Sequence, residues 1–131
     1  MASILKVDEM QGVTSAGDIT ITSEGGSATM QLQQGVIKAW ASRTSAATPA
    51  TNDSLNIASL TDSGTGDTDY NLSSVMSNDG GACACANQTT AADYGLFGDW
   101  KQTGKLRTYS RNNSNSDTDR AVTIMGTGDL A

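Results

Sequence analysis

The sequence predicts an all-β protein, on three observations. Apolar and β-branched residues recur in short runs that alternate with polar ones. Clusters of Gly, Ser, Thr, Asn and Asp separate those runs. No apolar period of about 3.6 residues is sustained, so a helical domain has no signal. Short strands spaced by turn clusters are the pattern of an antiparallel sandwich or barrel, and no internal repeat is visible.

ILKVD and DITIT, near the start, read as two short strands separated by a Gly- and Ser-bearing spacer, with a second spacer behind them. A two-strand fragment of this size has too little apolar surface to fold alone. In TMQLQQGVIKAWAS, residues 29–42, Met30 and Leu32 alternate with Gln31 and Gln33. Gly35 then punctuates the run, as a bulge or as a handover from arm to domain. The predicted division is therefore an N-terminal arm over residues 1–28 and a head domain over 29–131. SRTSAATPATND carries the only proline, Pro49, and is a loop. SLNIASL points Leu55, Ile57 and, one step out of phase, Leu60 toward a core, and DYNLSSVM places Tyr70 and Leu72 on one face. GACACAN, a looser ADYGLFGDW, then KLRTYSR follow; in the last, Leu106, Thr108 and Ser110 alternate against Arg107, Tyr109 and Arg111. RAVTIMG closes the chain's strands with Val122 and Ile124 on one face.

Composition bounds how this can be held together. Aromatics are 5% of 131 residues, with one Phe and two Trp, and roughly a quarter of the chain is Ser or Thr. A domain of this size already buries a modest share of its surface, so burial between chains is the natural supplement. The formal net charge of −6 disfavours nucleic acid as a partner. No apolar run approaches the roughly 20 residues that span a bilayer. MASILKVDEM has a short apolar core interrupted by Lys6, unlike a signal peptide, so synthesis in a cytoplasm with release by lysis is the expectation.

Catalytic constellations lack parts. The chain has no His, which removes the Ser/His/Asp triad, the Cys/His pair and histidine metal centres. No phosphate-binding glycine loop is present. Paired carboxylates could cleave a glycosidic bond, but among twelve Asp and two Glu some pair always looks suitable. The chain is read as no enzyme, with no cofactor and no metal. Cys83 and Cys85 lack the further ligands a zinc site needs; on a strand they share one face opposite Ala82, Ala84 and Ala86, as small hydrophobes in close packing. The acidic loops DSGTGDTD, with Asp62, Asp67 and Asp69, and NSDTD, with Asp117 and Asp119, do not follow a calcium-loop pattern and read as structural turns.

One stretch offers a ligand surface. DYGLFGDWKQTGKLRTYSR combines Tyr94, Phe97, Trp100 and Tyr109 with Lys101, Lys105, Arg107 and Arg111, and five of the eight basic residues lie between 101 and 120. Aromatic rings beside Asp, Asn and Arg suit sugar or anionic-glycan contact, although so scarce a set of aromatics makes the core a competitor for Phe97 and Trp100. Tyr94, Trp100, Lys101, Arg107, Tyr109 and Arg111 are the candidate ligand-binding residues.

SILKVDEMQG, LQQGVIKAWA, DSLNIASLTDSGTGDTDYNL and the closing AVTIMGTGDLA occur in that order. Together they resemble the small structural proteins, tail-fibre or virion proteins, of marine short-tailed phages such as cyanophages and pelagiphages. In that pattern an aromatic follows the KAW strand, and Ser-Phe-Asn stands where this chain has Ser54-Leu55-Asn56. The resemblance implies an intertwined homotrimer: an N-terminal β arm attached to the particle, with Ile4, Leu5, Val7, Ile19 and Ile21 as its assembly residues, and a jelly-roll-like antiparallel β-sandwich head facing outward. It further implies a virion protein whose partners are itself, other tail or capsid proteins and a host-surface glycan. The expected function is a trimeric fibre or spike; a capsid decoration or head fibre is the structural alternative. A free carbohydrate-binding module or glycan depolymerase is the alternative of another class.

Overall fold

The computed structural model describes residues 4–13, 19–22, 26, 28–32, 35–87 and 95–131. Among these residues there is no helix, and all the sheets are antiparallel, as the alternation predicts. The chain divides into two compact units, Met1–Val36 and Ile37–Ala131.

The first unit contains a small hairpin-like sheet. β1 (Thr20–Thr22) pairs with β2 (Thr29–Gln31), setting Ile21 opposite Met30. TMQ therefore belongs with the arm, and the predicted boundary at 28/29 moves to 36/37, just beyond Gly35. Its physical reason is pairing: the three residues of β2 find their ladder partners in Thr20–Thr22, and Met30 stays half exposed.

The second unit is a sandwich of two four-stranded sheets. The first has β3 (Ala39–Arg43), β4 (Thr51–Leu55), β7 (Cys83–Asn87) and β10 (Val122–Gly126) in the order β4-β3-β10-β7. The second has β5 (Ile57–Gly64), β6 (Asp67–Leu72), β8 (Gly95–Gln102) and β9 (Lys105–Arg111) in the order β5-β6-β9-β8. β3–β4, β5–β6 and β8–β9 are sequence-adjacent neighbours within their sheets, so the sandwich has eight strands but its pairing is not that of a jelly roll.

The two inner faces complement each other in size. The first sheet turns Ala39, Ala41, Val122, Ile124, Gly126, Cys83 and Cys85 inward, and the second answers with Tyr70, Leu72, Leu106 and Trp100, with Ile57 and Leu60 beside them. A Cβ on Gly126 would stand 2.5 Å from Trp100 Cζ2, so the glycine is what admits the indole. On β8, a Cβ on Gly98 would come within 3.2 Å of both Cys83 Sγ and Cys85 Sγ. The cysteines thus pack as small hydrophobes with free thiols, and Ala82, Ala84 and Ala86 face solvent.

Two details of phase follow from irregular pairing. Leu60 is out of step with Ile57 in the sequence, and a register shift between Ile57 and Ser59 returns it to the core side. Leu55, by contrast, is 48% exposed, against its predicted core position. The chain turns from the first sheet to the second at Asn56, which adopts φ +58°, and Leu55 sits before that corner.

Candidate functional site

The candidate residues distribute over both faces of the second sheet, because β9 alternates and β8 does so up to a register shift between Trp100 and Gln102. Trp100 points into the sandwich, where its Nε1 donates to Ala82 O at 3.3 Å, and so serves the core. Lys101, Arg107, Tyr109 and Arg111 project from the outer face, and Tyr94 lies outside the described residues. Phe97, for which the core competes in the sequence, is 60% exposed on that outer face, directly across the ladder from Tyr109. The structure therefore reverses the expectation that counted Trp100 among the ligand-binding residues and left Phe97 out.

Asp67 and Asp69 complete the face, and sequence reasoning missed them as part of it. They alternate with the inward Thr68 and Tyr70, a signal readable in DTDY, but their neighbours depend on the β6–β9 register. Asp69 stands opposite Arg107, and Arg107 stands opposite Asp99 on its other side. The Arg107 Nε lies 2.7 Å from Asp67 Oδ1 and 3.1 Å from Asp69 Oδ1. Its Nη1 donates to Tyr109 Oη, and its Cζ sits 4.7 Å from the Tyr109 ring centroid. Lys101 Nζ reaches Asp69 Oδ2 at 2.8 Å, with Lys105 Nζ at 3.6 Å. Three cations thus surround a carboxylate whose side chain is 3% exposed. Partial desolvation works against the Arg107 charge, but the hydrogen bond and charge of Asp67 outweigh it and hold its pKa above the ordinary value.

The face is consequently balanced rather than cationic. Lys101, Lys105 and Arg107 stand beside Asp67, Asp69 and Asp99, and Arg111 pairs with Asp117 at 3.0 Å. What remains open to a ligand is the Phe97 ring, flanked by Tyr109 and by polar groups fixed in position.

The acidic loops are engaged in turns and ties. Asp62 Oδ1 accepts from Gly64 N, and Asp119 Oδ1 accepts from Gly66 N. Gly66 adopts φ +74°, and a Cβ there would collide with Ser110 O and Thr118 N. Among the described residues no helix is long and apolar enough to cross a membrane.

Comparison with known proteins adds no relative: no family model, no curated protein and no solved structure matches this chain. The fold and the face therefore define the class directly, an all-β sandwich protein with an ordered aromatic and ion-paired sheet face.

Proposed function

We propose that this protein is a structural virion component, a homotrimeric phage fibre or spike in which the N-terminal unit assembles and the head contacts a host-surface glycan. The observation that carries the reading is the apolar exposure of the first unit. Ile4 is 80% and Leu5 79% exposed, and Val7, Met10, Val13, Ile21 and Met30 are also exposed. The Ile21–Met30 pair lines a shallow hollow with Ala28 and Thr29. Two three-residue strands with this surface need a partner to bury it, and further copies of the same chain supply identical apolar faces. Ile19, less exposed than Ile21, would join the same interface.

The head supplies the contacting surface. An exposed ring bordered by fixed hydrogen-bonding groups covers the C–H patches of a sugar while the polar groups meet its hydroxyls. Because the neighbouring cations are already paired, the face suits a neutral glycan better than a polyanion.

Light scattering coupled to size exclusion tests the assembly directly. The full chain should run as a trimer, and the pair Ile21→Asp with Met30→Asp should reduce it to a folded monomer. A well-folded wild-type monomer at micromolar concentration would sink the trimer. Phe97→Ala should then weaken adsorption of the trimer to host cells with its melting temperature unchanged. Imaging labelled virions separates a tail fibre from a capsid decoration. Glycan binding by the charged-arm monomer, with no incorporation into particles, would favour a free carbohydrate-binding module.

A further inference from the structure

The inner faces of the head divide into an apolar end and a polar end. Gly126 stands against Trp100 and Leu106, and its ladder partner Ala39 marks the same end. Toward the other end the buried side chains are Thr68, Thr108, Ser110 and Arg43 together with the apolar Val122, and Tyr70 Oη lies 3.3 Å from Thr108 Oγ1 between the two regions. Arg43 closes β3 as the third inward residue after Ala39 and Ala41, opposite Val122 of β10 and Thr51 of β4.

Arg43 is fully buried, 0% exposed, and none of its three guanidinium nitrogens has a hydrogen-bond partner among the described residues. No described carboxylate lies within ion-pair distance of it; Asp67 and Asp69 are on the opposite face of the second sheet, held by Arg107 and Lys101. Three acceptors toward this end are engaged with other donors. Thr118 O takes Ser110 Oγ at 2.6 Å, Gly66 O takes Ser110 N, and Asp119 Oδ1 takes Gly66 N. The charge is felt locally, since it opposes the rise that burial imposes on the Tyr70 pKa. An arginine stays ionised in a protein interior, and an isolated buried charge is among the most costly groups a fold can contain.

We propose that the polar end of the sandwich holds a small monovalent anion of chloride size, bound by the Arg43 guanidinium beside the Thr68, Tyr70 and Thr108 side chains. Donors dominate the site, because guanidinium nitrogens only donate and hydroxyls donate readily. Full burial closes it to a side chain of another chain, and no described carboxylate supplies the counter-charge, a role that a small diffusible ion fits. The ion binds the folded head and not the unfolded chain, so its concentration sets part of the stability.

Two measurements test the site. In buffers of fixed ionic strength, bromide exchanged for gluconate should raise the melting temperature of the wild-type protein by several degrees with saturation. Arg43→Met should abolish the saturable rise. Crystals of the wild-type protein grown in bromide should show an anomalous peak in contact with the Arg43 guanidinium, a readout independent of whether the variant folds. Parallel melting curves for the two proteins would overturn the site, as would a guanidinium contacted by water alone in the bromide crystals.

Discussion

Lys101 of β8 and Asp69 of β6 meet across the intervening strand β9, Nζ to Oδ2 at 2.8 Å, with Arg107 of β9 between them. The contact ties three strands on the outer face of one sheet. Asp69 carries the cluster because it is nearly buried and serves all three cations, whereas Lys101 and Lys105 remain 31% and 32% exposed. Asp69→Asn should destabilise the head by about 2–3 kcal/mol, since removing one partner leaves charges without compensation. Lys101→Met should cost less than about 1 kcal/mol, as a solvent-screened partner does. Urea denaturation measures both, and an Asp69→Asn loss no larger than that of Lys101→Met would contradict this ordering.

Asn56 is the corner between the sheets. Its Nδ2 donates to Lys38 O at 3.2 Å and Ser74 O at 3.0 Å, and its Oδ1 accepts from Ser74 N at 2.7 Å, all from φ +58°. Asparagine tolerates this left-handed conformation better than most residues. Asn56→Ala should lose about 2–3 kcal/mol through the hydrogen bonds and the backbone together. Asn56→Gly should recover roughly 1 kcal/mol of that by removing the backbone strain. Equal stabilities for the two variants would show that φ contributes nothing here.

Gly98 and Cys85 should be coupled. Gly98→Ala places a methyl 3.2 Å from both cysteine sulfurs and should cost about 1–2 kcal/mol by overpacking. In a Cys85→Ala background the methyl gains room, and the penalty should shrink, leaving a coupling of roughly 1 kcal/mol. A double-mutant cycle reads this term, and simple additivity would place the two residues out of contact.

Cys83 sets an alkaline limit on stability. Burial first, then the neighbouring Cys85 and Asp99, push its thiol pKa up to about 11, against about 8.5 in an unfolded chain. Between those values the unfolded state releases a proton that the folded state retains. The contribution is therefore intact below the unfolded value and is lost as pH rises toward 11. Melting temperatures from pH 8 to 11 should fall more steeply for the wild type than for Cys83→Ala. Burial raises the Cys85 thiol in the same direction, so a residual slope in the variant is expected. Identical slopes would rule out Cys83 as the cause.

Side-chain direction in the head was largely legible without coordinates. Leu106, Thr108 and Ser110 face inward and Arg107, Tyr109 and Arg111 outward, as the alternation of KLRTYSR requires. The small inward residues of GACACAN against an exposed alanine face were legible for the same reason. Leu55 was misplaced because alternation does not foresee a turn between sheets, and Met30 because a strand pattern does not name its partner.

Alternation, turn chemistry and composition by themselves determined the all-β class and most strand faces of the head, since Cβ direction and φ preference are properties of neighbouring residues, whereas ILKVD, read as a strand, forms none. Only the tertiary structure decided that Trp100 enters the core while Phe97 faces solvent, that Asp69 collects Lys101, Lys105 and Arg107, and that Arg43 is enclosed with no counter-charge among the described residues. Those outcomes depend on register and sheet packing, which join residues such as Asp69 and Arg107 that lie far apart along the chain.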